Sequence, residues 1–290
     1  MKHPHTRRMT REIAPSTVEW ILAQARAGQP PDVLLKPLLD EGWSEDDAVA
    51  AVEAAVRDWA ATGSRDAGLP PAVRVPSPVE LNGASVLRAG DRDVTVLANL
   101  LLPRVVVFGG LLSDVECDEL VVLSRPKLQR STILDPDTGD DAVHVDRTSA
   151  GTHFPRGGSA LVRRIEARIA ALLDWPVENG EAMQILRYGP GAQYRPHHDY
   201  FDPAWPGSTK QIARGGQRVA SLVMYLNTPA HGGATTFPDA HFEVAAVKGN
   251  AVFFSYDRPH PMTRTLHAGA PVLDGEKWIA TKWLREGRHD

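Results

Sequence analysis

The sequence has a single cysteine, Cys117, which excludes an internal disulfide framework and any zinc or iron–sulfur site built from several thiolates. One thiol suits a reducing cytosol, so a cytoplasmic location is the expectation. No apolar run approaches the roughly 20 residues that a bilayer span needs. The opening stretch MKHPHTRRMTRE is charged and has no apolar segment behind it. A soluble, unexported chain without a membrane partner is expected. Nor is positive charge in excess: 32 Lys and Arg stand against 36 Asp and Glu, a net of −4, so no nucleic-acid surface built on bulk positive charge is expected. Internal repeats and low-complexity tracts are also lacking. What is present is globular material, 42% apolar and 23% charged over 290 residues, enough for one large domain and a small appendage.

The appendage is legible in residues 15–60. Ser16 and Glu19 form a capping box ahead of Val18, Ile21, Leu22 and Ala25, which repeat at helical spacing up to Gly28 and the pair Pro30 and Pro31. Leu34, Leu35, Leu38 and Leu39 make a second stripe, ended by Gly42. Ser44 with Asp47 caps a third helix carrying Ala48, Val49, Val52, Val56 and Trp59. The spacing predicts a three-helix bundle over residues 1–62, and a bundle this small either docks on the rest or acts as a compact adaptor. The string PLLDEGWSEDDAVAAV within it resembles ubiquitin-associated three-helix modules, which implies a protein-binding role for the unit. Gly, Pro and Ser crowd the next stretch, and residues 63–80 read as a linker.

The large domain is expected over 81–290. It opens with β-type runs at 94–97 and 104–108. A helix begins at Ser113 with Glu116, and a second, capped by Ser159, carries Leu161, Ile165, Ile169, Leu172 and Leu173 on one face. Beyond Asn179 come AMQILRY, QYRPHHDY, VASLVMYLN, HFEVAAV, NAVFFSY and KWIATKW, short strands separated by turn residues. Strands at this spacing without alternating helices indicate an antiparallel sandwich, so the fold class is α+β: a double-stranded β-helix, or jelly roll, with its core at 180–286 and helices bracing it.

The chemistry concentrates in Tyr194-Arg195-Pro196-His197-His198-Asp199-Tyr200. On an extended strand residues i and i+2 share a face, so His197 and Asp199 point together while His198 points away. The best candidate for a third ligand is His267, with His231, His241 and His260 as alternatives. Two imidazoles and one carboxylate on one face of a metal leave the other positions open, the arrangement of non-haem Fe(II) oxygen chemistry. Lys277 enters the apolar strand KWIATKWL, where its ammonium is costly to desolvate unless an anion meets it. A dicarboxylate co-substrate would supply one; otherwise the lysine sits at a strand mouth and snorkels into water.

Several strings carry a resemblance in order and spacing. They are Tyr188-Gly189 through Tyr194-x-Pro196-His197-x-Asp199, Arg218-Val219-Ala220-x-Leu222-x-Met224-Tyr225-Leu226, Gly232-Gly233-Ala234-Thr235-x-Phe237-Pro238, 248–254, His267-x-x-x-Pro271-Val272 and Gly275-x-Lys277-Trp278-x-x-x-Lys282-Trp283. Over roughly residues 184–286 the chain resembles the catalytic domain of the prolyl 4-hydroxylases, which are Fe(II)- and 2-oxoglutarate-dependent dioxygenases. The resemblance weakens over 104–183 and does not reach residues 1–75.

That resemblance implies iron held by His197, Asp199 and His267, and 2-oxoglutarate paired through its distal carboxylate with Lys277. It implies that Tyr188 and Thr235 hydrogen-bond the co-substrate, that Trp283 lines the pocket, and that Arg147, in an R-x-S segment, borders a peptide groove. It further implies O2 as oxidant, ascorbate as reductant, release of succinate and CO2, and a proline-containing peptide or protein as substrate. The segment 202–216, DPAWPGSTKQIARGG, has loop composition and is a candidate lid. Two other readings stay open. One keeps the chemistry but takes a free amino acid or another small molecule; the other is a non-catalytic adaptor working through the N-terminal helices.

Overall fold

The computed structural model describes residues 15–26, 29–61, 69–80, 83–135, 137–142 and 146–289. The chain divides into two compact units, Met1–Leu69 and Pro70–Asp290.

In the first unit the helices are Pro15–Arg26, Pro31–Asp40 and Glu45–Ala61. Gly42 takes φ +80° just after the second, and the Ser44 hydroxyl accepts from the Asp47 amide at 3.2 Å to start the third. Ile21, Leu38, Trp43, Ala48 and Val52 share one apolar cluster. Leu39 and Val49, expected on the apolar stripes, are 41% and 37% exposed, because helices this short bury only one narrow face. The side chains of Ser16, Glu19 and Trp59 lie outside the described residues, as does the stretch 62–68.

The second unit is built on a nine-stranded antiparallel sheet. Its spatial order is Val86–Ala89, Arg92–Leu100, Arg104–Gly109, Ala251–Ser255, Arg218–Tyr225, Lys277–Arg285, Met183–Tyr188, Ala150–Phe154 and Gln129–Arg130. A four-stranded sheet runs Phe242–Val244, Thr235–Phe237, His267–Gly269, Tyr194–His197. The central strands of the large sheet are mostly apolar because both of their faces are covered, and the polar residues within them, Ser221 and Lys277 among them, are buried.

Alternation along each strand sorts the residues between the two faces. Ala220, Leu222, Met224, Phe253, Trp278 and Ala280 meet the helices Asp114–Ser124 and Ala160–Leu173. Val223, Tyr225, Val252, Phe254 and Ile279 meet Phe237 and Val244 of the small sheet. The Ser113–Glu116 capping box and the Ser159 cap both form, the latter accepting from the Val162 amide at 3.1 Å. Within the stretch read as linker, Val73, Val75 and Val79 pack against the first of these cores, and the Val73 amide donates to Asp257 O at 2.7 Å. Its proline-rich composition there serves extended backbone laid on a core.

Candidate active site

The site forms where the strand Tyr194–His197 runs antiparallel beside His267–Gly269. In that register His267 stands directly opposite His197, and the two ring centroids are 4.3 Å apart. Asp199 follows just past the strand end, its Oδ1 3.6 Å from His197 Nε2 and its Oδ2 3.5 Å from His267 Nε2. All three candidate ligand atoms lie within 4.8 Å of one another, and among the described residues this is the one such cluster. His198 points away and stacks on Tyr200 with centroids 4.6 Å apart. The alternative third ligands do not join the cluster. His231 and His241 are exposed, and His260 Nδ1 accepts from the Met262 amide at 3.1 Å to cap a short turn.

Each imidazole is oriented by its own backbone. Nδ1 of His197 is 2.9 Å from Arg195 O, and Nδ1 of His267 is 3.0 Å from Thr265 O. A carbonyl can only accept, so each Nδ1 carries the proton and each Nε2 presents a lone pair toward Asp199. Burial, reinforced by repulsion from His197, pushes His267 down to about 4 and keeps it neutral. Burial alone would raise the Asp199 carboxyl, but the neighbouring His267 and His197 rings and the Arg218 guanidinium hold it well below the usual carboxylate range. Ser221 Oγ donates to Asp199 Oδ2 at 2.6 Å and is itself 3.0 Å from Tyr256 OH. Two imidazole nitrogens and one carboxylate form a donor set that fits Fe(II).

A pocket opens beside the cluster, and Arg147, Tyr188, Thr235, Lys277 and Trp283 all line it. Lys277 is 2% exposed and has no carboxylate partner among the described residues. Its Nζ lies 5.6 Å from the centre of the Tyr188 ring and 5.8 Å from that of Tyr225, and burial pushes its pKa down to about 8. Gly233, at φ +72°, leaves room for the lysine stem, since a Cβ there would sit 3.2 Å from Lys277 Cδ. The Tyr225 hydroxyl donates to Thr235 Oγ1 at 2.9 Å. A desolvated cation without a partner, across a cavity from the carboxylate cluster, fits a dicarboxylate.

Arg147, expected beside a peptide groove, lines the cavity wall. It is buried, donates to Thr132 O at 2.8 Å and Gln184 Oε1 at 2.7 Å, and covers the Tyr194 ring at 4.9 Å. Trp283 lies under the Arg218 guanidinium at 4.1 Å, and Glu181 holds that guanidinium through two bonds of 2.7 and 2.9 Å. The residues 202–216 are not all loop, for a short helix, Ser208–Ile212, interrupts them. Sequence reasoning missed Ser221, Tyr256, Glu181 and the Arg218 contacts. A serine at an inward position of the otherwise apolar run VASLVMY was the one visible signal.

Residues 183–285 match a family model described as the 2OG-Fe(II) oxygenase superfamily. Prolyl 4-hydroxylase 2 of Arabidopsis thaliana is 38% identical over 213 residues, spanning 65% of this chain and 69% of that protein. Prolyl 4-hydroxylase 1 of the same plant is 40% identical over 222 residues, spanning 70% and 75%. Among solved structures, the viral collagen prolyl hydroxylase of Paramecium Bursaria Chlorella virus-1, in its 2OG complex, aligns at 32% identity. Its TM-score is 0.49 over 62% of this chain and 95% of that one.

Proposed function

The chain belongs to the 2OG-Fe(II) oxygenase superfamily, among the prolyl 4-hydroxylases, and from that premise we propose that it hydroxylates a prolyl residue of a peptide or protein. In this reading the second unit is a double-stranded β-helix. The observation that carries the site assignment is the pairing, across one cavity, of a His-Asp-His cluster with a buried ammonium that has no anion.

His197, Asp199 and His267 hold the iron. Lys277 pairs with the distal carboxylate of 2-oxoglutarate, a charge pairing that no neutral side chain could match. Because Thr235 already accepts from Tyr225, its own proton is free to donate to that carboxylate, and Tyr188 lies beside it. Bound iron and 2-oxoglutarate supply the oxidative step, in which dioxygen is consumed, succinate and CO2 leave and a C–H bond becomes C–OH. The chain's part is to fix both imidazoles by their Nδ1 protons, keep Asp199 ionised through Ser221, and line the cavity with Leu186, Val223 and Ile279 against water. Trp283 and Arg147 shape the wall that faces substrate. Ascorbate would be the accompanying reductant.

The helices between residues 15 and 61 form a separate docking unit for another protein, a role supported by their own apolar cluster. A reducing compartment such as the cytoplasm suits Cys117, which is buried and unpaired and whose thiol burial pushes up to about 11. The test is incubation with Fe(II), 2-oxoglutarate, ascorbate and proline-containing peptides. The expected result is peptide heavier by one oxygen atom, formed in step with succinate. Succinate formation stimulated only by free amino acids would overturn the peptide substrate.

A further inference from the structure

We propose that Arg285 is a positioning residue that ties the segment 202–216 to the wall of the substrate pocket and thereby sets how firmly a peptide is held. The proposal rests on the hydroxylase reading above and names a part of that site the resemblance does not supply.

Arg285 ends the strand Lys277–Arg285 and is 1% exposed. Its Nη2 donates to two carbonyls of the segment, Gln211 O in the last turn of the short helix Ser208–Ile212 and, at 2.8 Å, Arg214 O two residues past its end. Its Nη1 donates to Glu181 Oε1 at 2.9 Å. Glu181 also holds Arg218, whose guanidinium covers Trp283 on the pocket wall and whose Nη1 reaches Asp199 O at 3.3 Å. Phe201, where the segment begins, lies between the two guanidinium groups, 4.8 Å from Arg218 and 4.7 Å from Arg285. Gln217, at its other end, clasps the Phe201 backbone with bonds of 2.7 and 2.8 Å. One arginine thus touches the segment, the carboxylate behind the pocket wall and the ring at the segment's root.

Charge explains why this tether holds. Arg218 and the buried Arg285 share the carboxylate of Glu181, and Arg218 also feels the charge of Asp199. A buried guanidinium that shares its carboxylate is costly unless fixed dipoles help to offset it. The carbonyls at and just past the end of a helix supply those dipoles, and here they belong to the segment. Withdrawal of the segment would strip Arg285 of both carbonyls. The far side of the segment is held less firmly: Lys210 pairs with Asp140 where both side chains are exposed, and Gln211 Nε2 donates to Gly139 O at 2.8 Å.

The test compares full-length Arg285→Lys with wild type. A lysine ammonium cannot span the carboxylate and two carbonyls as the planar fork does. Amides 208–216 should exchange hydrogen about tenfold faster, and KM for a proline-containing peptide should rise about tenfold, the loss expected for a buried charged hydrogen bond. The 2-oxoglutarate affinity of the Fe(II)-loaded protein, read from its visible charge-transfer band, should not move. Unchanged exchange, an unchanged peptide KM, or 2-oxoglutarate affinity falling in parallel would each overturn the proposal. Should Arg285→Lys not fold, wild-type exchange with and without peptide decides. Protection must rise together at 208–216 and 281–285, and a rise at one alone overturns the tether. A wild type that makes no succinate with any peptide sinks the hydroxylase reading instead, and the exchange comparison still judges the tether.

Discussion

Lys277 is the residue at which function and stability pull apart. Its ammonium is buried without a counterion and its pKa sits near 8 against an ordinary 10.5, so between those values the unfolded chain binds the extra proton and the folded chain does not. Stability of the ligand-free protein should therefore rise with pH across about 8 to 10.5, by the sign of proton linkage. Affinity for 2-oxoglutarate should do the reverse, weakening above about 8, because only the charged form meets the carboxylate. Chemical denaturation and ligand titration over the same pH series check both trends. Lys277→Met should weaken 2-oxoglutarate binding by about a hundredfold or more, the cost of losing one partner of a buried ion pair, while stabilising the ligand-free protein by about 1 kcal/mol or more. Weaker binding with no gain in stability would mean that the ammonium already has a partner.

At the scale of the element, the register between Tyr194–His197 and His267–Gly269 makes the metal cluster, and the same register explains what could be read in advance. The strands Arg218–Tyr225, Ala251–Ser255 and Lys277–Arg285 were legible because burial on both faces demands predominantly apolar runs. Thr235–Phe237 and His267–Gly269 have three residues each, too few for a period, and are strands only because of their neighbours. Spacing alone accordingly favoured His267 over three other histidines without deciding it, the resemblance chose it, and the pairing sets it opposite His197. The burial of Arg147 was not legible for a related reason, since its partners Thr132 and Gln184 are remote in sequence. Local signals held where the physics is local: Ser113 and Glu116 cap the helix Asp114–Ser124 as their spacing required. Ser113→Ala should cost about 1 kcal/mol in thermal or denaturant unfolding and leave 2-oxoglutarate affinity unchanged. A change in affinity would show that this helix does more than brace the sheet.

For the whole molecule, the division at Leu69 and Pro70 separates a small helical unit from one that contains every residue of the pocket. A chain beginning at Pro70 should retain the 2-oxoglutarate affinity and the peptide-stimulated succinate formation of the full protein. Loss of either in a folded truncation would give the helices a part in catalysis. Two imidazole nitrogens and one carboxylate oxygen meet at one point in space, beside an ammonium with no carboxylate partner among the described residues. A crystal grown without oxygen with Mn(II), as surrogate for Fe(II), and 2-oxoglutarate tests this arrangement most directly. The account predicts a single strong anomalous peak bonded by His197 Nε2, Asp199 and His267 Nε2, with the far carboxylate of 2-oxoglutarate against Lys277 Nζ. A metal held elsewhere, or a co-substrate turned away from Lys277, would contradict it.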